Sequence, residues 1–156
     1  MKKILILISL LAGCTPKPEP VEPPHWSAVE LLRNQHKEEL SDFDKLTLAI
    51  AFTESKFNPN ADSGAGDHGV LQLREIYIAE VNRLYKTDYT VEDAFDIGKS
   101  IEIFNKMQEA KNPSYNLDTA IRLHNKSDAY KAKVTESLAL VRRYEETRRK
   151  IIEYGK

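Results

Sequence analysis

The chain has 156 residues, 41% of them hydrophobic and 30% charged, which fits one globular domain with a modest core and calls for no second one. Lys and Arg number 23 against 24 Asp and Glu, for a formal net charge of -1. No global positive field therefore points to nucleic acid as a partner.

Residues 1–13 read as an export leader. Met1-Lys2-Lys3 is a short basic head, Ile4 to Leu11 an apolar run too short to span a bilayer, and Ala12-Gly13 the small residues of a cleavage site. Cys14, the only cysteine, follows at once, and Leu11-Ala12-Gly13-Cys14 resembles the bacterial lipobox, in which the cysteine becomes the lipid-bearing first residue. On that reading lipidated Cys14 holds the protein to a membrane of the cell envelope, with the periplasmic face of the outer membrane as the expected location. Residues 14–25 alternate prolines, which favour extended polyproline II and act as a tether. At about 3.1 Å per residue it holds the remainder, residues 26–156, roughly 30 Å from the anchor.

Beyond the tether the pattern is helical and the expected class is mostly α. Ser27 to Leu40 places Val29, Leu32, His36 and Leu40 near one face, and Ser41 with Asp44 forms a box-like start for the next helix. Arg74 to Tyr85 carries Ile76, Tyr77, Val81 and Leu84 as its apolar stripe. Ile97 to Lys111 carries Ile97, Ile101, Phe104 and Met107. Leu117 to Asn125 is a short helix begun by Asn116, and a long last helix from Ser127 aligns Tyr130, Val134, Leu138 and Val141. Its tail, "RRYEETRRK", reads as a solvated face. No strand alternation and no internal repeat stands out.

One residue breaks the pattern. Phe43, Leu46, Ile50 and Glu54 fall at helical spacing, so the carboxyl of Glu54 continues an apolar stripe. Asn58-Pro59 is expected to end that helix. An acid in its last turn faces the negative end of the macrodipole, at a cost of about 0.3–1 kcal/mol. Glu54 could instead rotate to solvent and pair with Lys56. The segment that follows, "NPNADSGAGDHG", holds three glycines suited to close backbone approach, and Gln72 offers an amide just beyond. A calcium loop does not fit: with Asn58, Asn60 and Asp62 as first ligands, Ser63 stands where glycine is required and Gly69 where the bidentate glutamate belongs. Zinc has no ligand spacing among His25, His36, His68 and His124, and no serine sits in a nucleophile elbow. No metal or cofactor is implied.

"ESKFNPNADSGAGDHGVLQL" resembles the signature of the soluble lytic transglycosylases, which have a lysozyme-like fold. "AFDIGKSIEIF", "AIRLHN" and "YKAKV" are similar, in order, to later segments of that family, so the resemblance runs from about Leu46 to Val134. It implies a peptidoglycan substrate and Glu54 as the catalytic acid, with Ser55 beside it in the cleft. Gly69, Val70 and Gln72 would line the sugar site, Asn125 would meet an N-acetyl group, and Tyr130 would face the carboxyl. His124 stands where the family usually has tyrosine and would take that residue's place at the sugar site, and Asp67-His68 enters the glycine turn. In the family mechanism a single acid suffices. It protonates the glycosidic oxygen between N-acetylmuramic acid and N-acetylglucosamine, then takes the proton of the muramyl 6-hydroxyl as an anhydro ring closes. Two alternatives stay open: a hydrolytic muramidase, with Asp62 or Asp67 as second carboxylate, and a peptidoglycan-binding lipoprotein that has lost catalysis.

Overall fold

The structure is a computed structural model and describes residues 39–154. The leader, Cys14, the tether and the helix expected from Ser27 lie outside these residues, except for Glu39 and Leu40, which are not helical.

The centre of the fold is α1 (Asp42–Ser55). Ser41 and Asp44 close the expected capping box: the Ser41 hydroxyl accepts from the Asp44 N–H at 3.1 Å, and Asp44 accepts from the Ser41 N–H at 2.9 Å. Six consecutive residues, Leu46 to Ala51, are buried, so the helix is surrounded and not merely faced by the core. It stops earlier than Asn58-Pro59 implies. Lys56 and Phe57 both take left-handed backbone, at φ 55° and 66°, and their N–H groups return to the Phe52 and Ala51 carbonyls. Carbonyl satisfaction within the last turn, not the proline, ends the helix.

The glycine-bearing segment folds back as a small hairpin that the sequence reading does not anticipate. In it β1 (Asp67–His68) pairs antiparallel with β2 (Leu73–Arg74), Asp67 opposite Arg74 and His68 opposite Leu73. Gly69 turns this hairpin at φ +70°, and a Cβ there would lie 1.7 Å from the Ala94 carbonyl oxygen, so no side chain is admitted.

Four helices complete the fold: α2 (Glu75–Tyr85), α3 (Ile97–Lys111), α4 (Leu117–His124) and α5 (Asp128–Tyr154). A 3-10 turn at Glu92–Phe95 precedes α3, and Asp96 caps α3 by accepting from Lys99 N–H at 2.8 Å. Asn116 caps α4 in the same way through Thr119 at 2.9 Å, and α4 ends one residue before Asn125. The expected stripes of α3 and α5 enter the core, Ile101, Phe104 and Met107 on one and Tyr130, Val134 and Leu138 on the other. Only α2 departs: Ile78 and Val81 are its buried residues, and Ile76, expected in the core, is 77% exposed. The helix is rotated so that its first turn presents Ile76 outward.

The principal packing is α5 along α1, with α3 against α2 and α4 touching both α1 and α5. Thr53 on α1 donates to Ser137 on α5 at 2.8 Å within that seam. None of the described helices is long and apolar enough to cross a membrane.

Candidate active site

The C-terminal turn of α1, the hairpin, the start of α2 and the end of α4 converge on one cleft of about 590 Å³. Glu54, Gln72, His124 and Asn125, four residues singled out from sequence, line it together. Glu54 does not swing out to Lys56; the Lys56 ammonium instead caps the Phe52 carbonyl at 3.0 Å and lies over the Phe52 ring. The Glu54 side chain is 21% exposed, and its Oε1 lies 3.1 Å from His124 Nε2. Helical spacing thus holds the carboxyl half out of water at the cleft wall, and the α4 terminus supplies a polar neighbour.

The other expected residues stand behind that wall. Ser55 sends its hydroxyl to the Val70 carbonyl at 2.8 Å, which ties the end of α1 to the hairpin. Val70 is fully buried and Gly69 presses on the Ala94 backbone, so both shape the cleft from behind. Gln72, itself at φ 49°, uses its Nε2 to donate to the Ala61 and Gly69 carbonyls at 3.0 and 2.9 Å, which clamps the loop to the hairpin. Asn125 accepts from Ser127 N–H through Oδ1 at 2.9 Å, leaving its NH2 group to donate. Tyr130, in the first turn of α5, stacks on His124 with ring centroids 5.9 Å apart. Burial, reinforced by the neighbouring Glu54 charge, pushes the Tyr130 phenol far above the usual tyrosine range.

Several residues of the cleft carry no signal in the motif. Tyr77 sits edge-on to His124 at 6.3 Å, and burial drives its phenol up, with the Gln108 amide opposing. Ile76 and Leu123 are exposed apolar side chains on the cleft walls. Ser63, Asp67, Arg74 and Glu80 add polarity. The departure at Asp67-His68 has a structural reason. Asp67 meets Arg74 at 2.9 Å across the hairpin and accepts from the Ser63 hydroxyl at 3.1 Å, while His68 packs on Phe95 with ring centroids 5.6 Å apart. Asp62 accepts from Gly64 N–H at 2.8 Å and is not among the cleft residues.

A second cavity, between α1 and α5, is lined by Leu48, Phe52, Phe57, Leu140 and Val141 and contains none of these groups. It is apolar and offers no acid or base at its walls beyond Glu145.

The arrangement can donate and recover one proton at Glu54 in a mostly polar cleft that also exposes Ile76 and Leu123 and holds an amide donor at Asn125, which suits an extended polar ligand with apolar faces. No curated protein and no solved structure matches the chain. A family does: the Transglycosylase SLT domain matches residues 32–139, which takes in α1 to α4, the hairpin and the first part of α5. That match covers well over half of the sequence and includes every residue placed around Glu54, so the chain belongs to the transglycosylase SLT domain family.

Proposed function

We propose that the protein is a peptidoglycan lytic transglycosylase that cleaves the β-1,4 bond between N-acetylmuramic acid and N-acetylglucosamine and leaves 1,6-anhydro ends. Glu54 gives its proton to the glycosidic oxygen as the bond to C1 breaks, and the leaving sugar departs with a free 4-hydroxyl. The substrate's N-acetyl oxygen supports the positive charge at C1, and the Asn125 NH2 group is the donor that would hold that acetyl group. Glu54, now a carboxylate, takes the proton of the muramyl 6-hydroxyl as its oxygen closes on C1. Atoms balance without water.

The observation that carries this reading is that, among the described residues, Glu54 is the one cleft carboxyl not paired with a lysine or arginine. Of the three described carboxyls lining the cleft, Asp67 is paired with Arg74, and Glu80 with Arg83 at 2.7 Å and Lys111 at 3.1 Å. A hydrolytic route needs a second carboxylate to activate water or trap the sugar. Asp67 is the residue that favours that second reading, since it shares the cleft; its bonds to Arg74 and Ser63 argue for a structural part.

The family also supports action outside the cytoplasm on the cell wall. Anchoring through lipidated Cys14, with the outer membrane as its site, is the finer reading; the proline-rich residues 14–25 give the reach for an anchored enzyme to meet the glycan layer.

Solubilisation of purified sacculi tests the catalytic claim. The parent protein should release soluble fragments, and Glu54→Gln, which keeps shape and hydrogen bonding but carries no transferable proton, should bind sacculi and release none. A Glu54→Gln variant that solubilises sacculi at near-parental rate removes Glu54 from the chemistry. A parent that binds sacculi and releases nothing leaves the binding lipoprotein in its place.

A further inference from the structure

We infer that His124 is a positioning residue for Glu54: its Nε2–H donates to Glu54 Oε1, which confines the acid proton to Oε2 and stabilises the carboxylate once that proton is given up. The inference rests on the glycan-cleaving reading and gives His124 a part other than sugar contact.

Geometry selects the tautomer. Nε2 lies 3.1 Å from Glu54 Oε1, and the His124 side chain is only 6% exposed. Its ring is stacked on Tyr130 and meets Phe104 and Tyr77 edge-on, at centroid distances of 6.0 and 6.3 Å. Nδ1 is buried and has no hydrogen-bond partner among the described residues. A proton on Nδ1 would leave a buried N–H donor orphaned whatever the state of Glu54, and would aim the Nε2 lone pair at a carboxylate oxygen once Glu54 is ionised. With the proton on Nε2 the donor is satisfied, and only a lone pair at Nδ1 goes unused. The aromatic cage holds the ring in that orientation.

The chemical consequence follows from which oxygen is engaged. A neutral Glu54 whose Oε1 accepts from Nε2–H carries its proton on Oε2. When that proton moves to the glycosidic oxygen, the electron pair of the breaking C1–O bond goes to the leaving sugar. The Nε2–H contact then becomes charge-assisted and stronger. Return of the 6-hydroxyl proton to Oε2 restores the starting state, and the imidazole neither gains nor loses a proton. Because the contact strengthens only as charge develops, it acts on turnover and not on substrate binding. A tyrosine hydroxyl at this position would donate from a rotatable bond; the caged imidazole donates from a fixed one.

The test compares His124→Gln, whose side-chain amide can still donate, with His124→Phe, which fills the cage and cannot. On soluble glycan strands His124→Phe should lower kcat by about ten- to a hundredfold, the scale of a hydrogen bond to a charged group, at an unchanged KM. His124→Gln should recover most of that loss. Equal kcat in both variants, or a loss confined to KM, overturns the assignment. Nitrogen-15 spectra of the labelled ring give a readout independent of turnover. The parent should show a protonated Nε2 and a bare Nδ1, a preference that weakens in Glu54→Ala; a protonated Nδ1 in the parent overturns the inference. If the parent cleaves no glycan at all, the glycan-cleaving reading falls, and the nitrogen spectrum still decides the His124–Glu54 contact.

Discussion

Replacing Gly69 by alanine should unfold the hairpin side of the cleft, and a neighbouring glycine supplies the control. Gly69 has φ +70°, and a Cβ built there lies 1.7 Å from the Ala94 carbonyl oxygen and 2.5 Å from its carbon. The left-handed backbone alone costs an L-residue roughly 1–2 kcal/mol. The overlap is with main chain, which cannot rotate away, so the hairpin must lift off the 3-10 turn at Glu92–Phe95, adding roughly 1–3 kcal/mol as in other overpacked sites. The sum, about 2–5 kcal/mol, is a large share of a stability of about 5–15 kcal/mol. Gly64 has a similar φ of +68°, yet its Cβ would meet nothing within 4 Å among the described residues. Gly64→Ala therefore bears only the backbone part. Urea unfolding followed by far-ultraviolet circular dichroism should place Gly69→Ala well below Gly64→Ala in midpoint. Equal midpoints would refute the claim that contact with Ala94 sets the hairpin. Glycan release by Gly69→Ala should fall even where it remains folded, since Ser55 and Gln72 both hang on this turn through Val70 and Gly69 carbonyls.

Acid stability should report the Glu80 cluster. Hydrogen bonds from Arg83 and then Lys111 lower the Glu80 carboxyl from 4.5 to about 2, so its contribution is present above pH 4.5 and lost as pH falls towards 2. Glu80→Gln should flatten the acid-unfolding curve within that window, by a small loss of stability near neutrality that vanishes as pH falls towards 2; an identical curve would contradict the pairing. At the other end of the chain, Cys14→Ser should accumulate as precursor or extract without detergent, read by fractionation and by the mass of the mature N-terminus. Parental processing and membrane partition would rule out lipidation.

What was legible in the sequence was local and periodic. The Ser41-Asp44 box, the Asn116 cap and the stripes of α3 and α5 are set by spacing along one element, and each forms as read. Glu54 was visible because an acid interrupted such a stripe. The end of α1 was not, because left-handed residues at Lys56 and Phe57 carry no glycine to mark them. The hairpin has strands of two residues, too short for alternation to register. The start of the α2 stripe is ambiguous in sequence because Ile76 and Ile78 are both apolar, and only the packing of α2 on α3 and β2 decides which is turned inward. The "GVLQL" run illustrates the same limit at the site: apolar residues expected beside a sugar, such as Val70, are drawn into the core behind it. The contact between His124 and Glu54, 70 residues apart in the chain, belongs to the meeting of α1 and α4 and has no local signature.

The most direct test is the mass of the fragments released from purified sacculi. If Glu54 acts alone and the muramyl 6-hydroxyl closes the ring, the fragments end in 1,6-anhydro-N-acetylmuramic acid, each one water lighter than a hydrolytic product and without a reducing end. Asp67→Asn should release the same anhydro species wherever it folds. Reducing ends as the main product, lost in Asp67→Asn, would contradict the account and make the enzyme a hydrolase on the same fold.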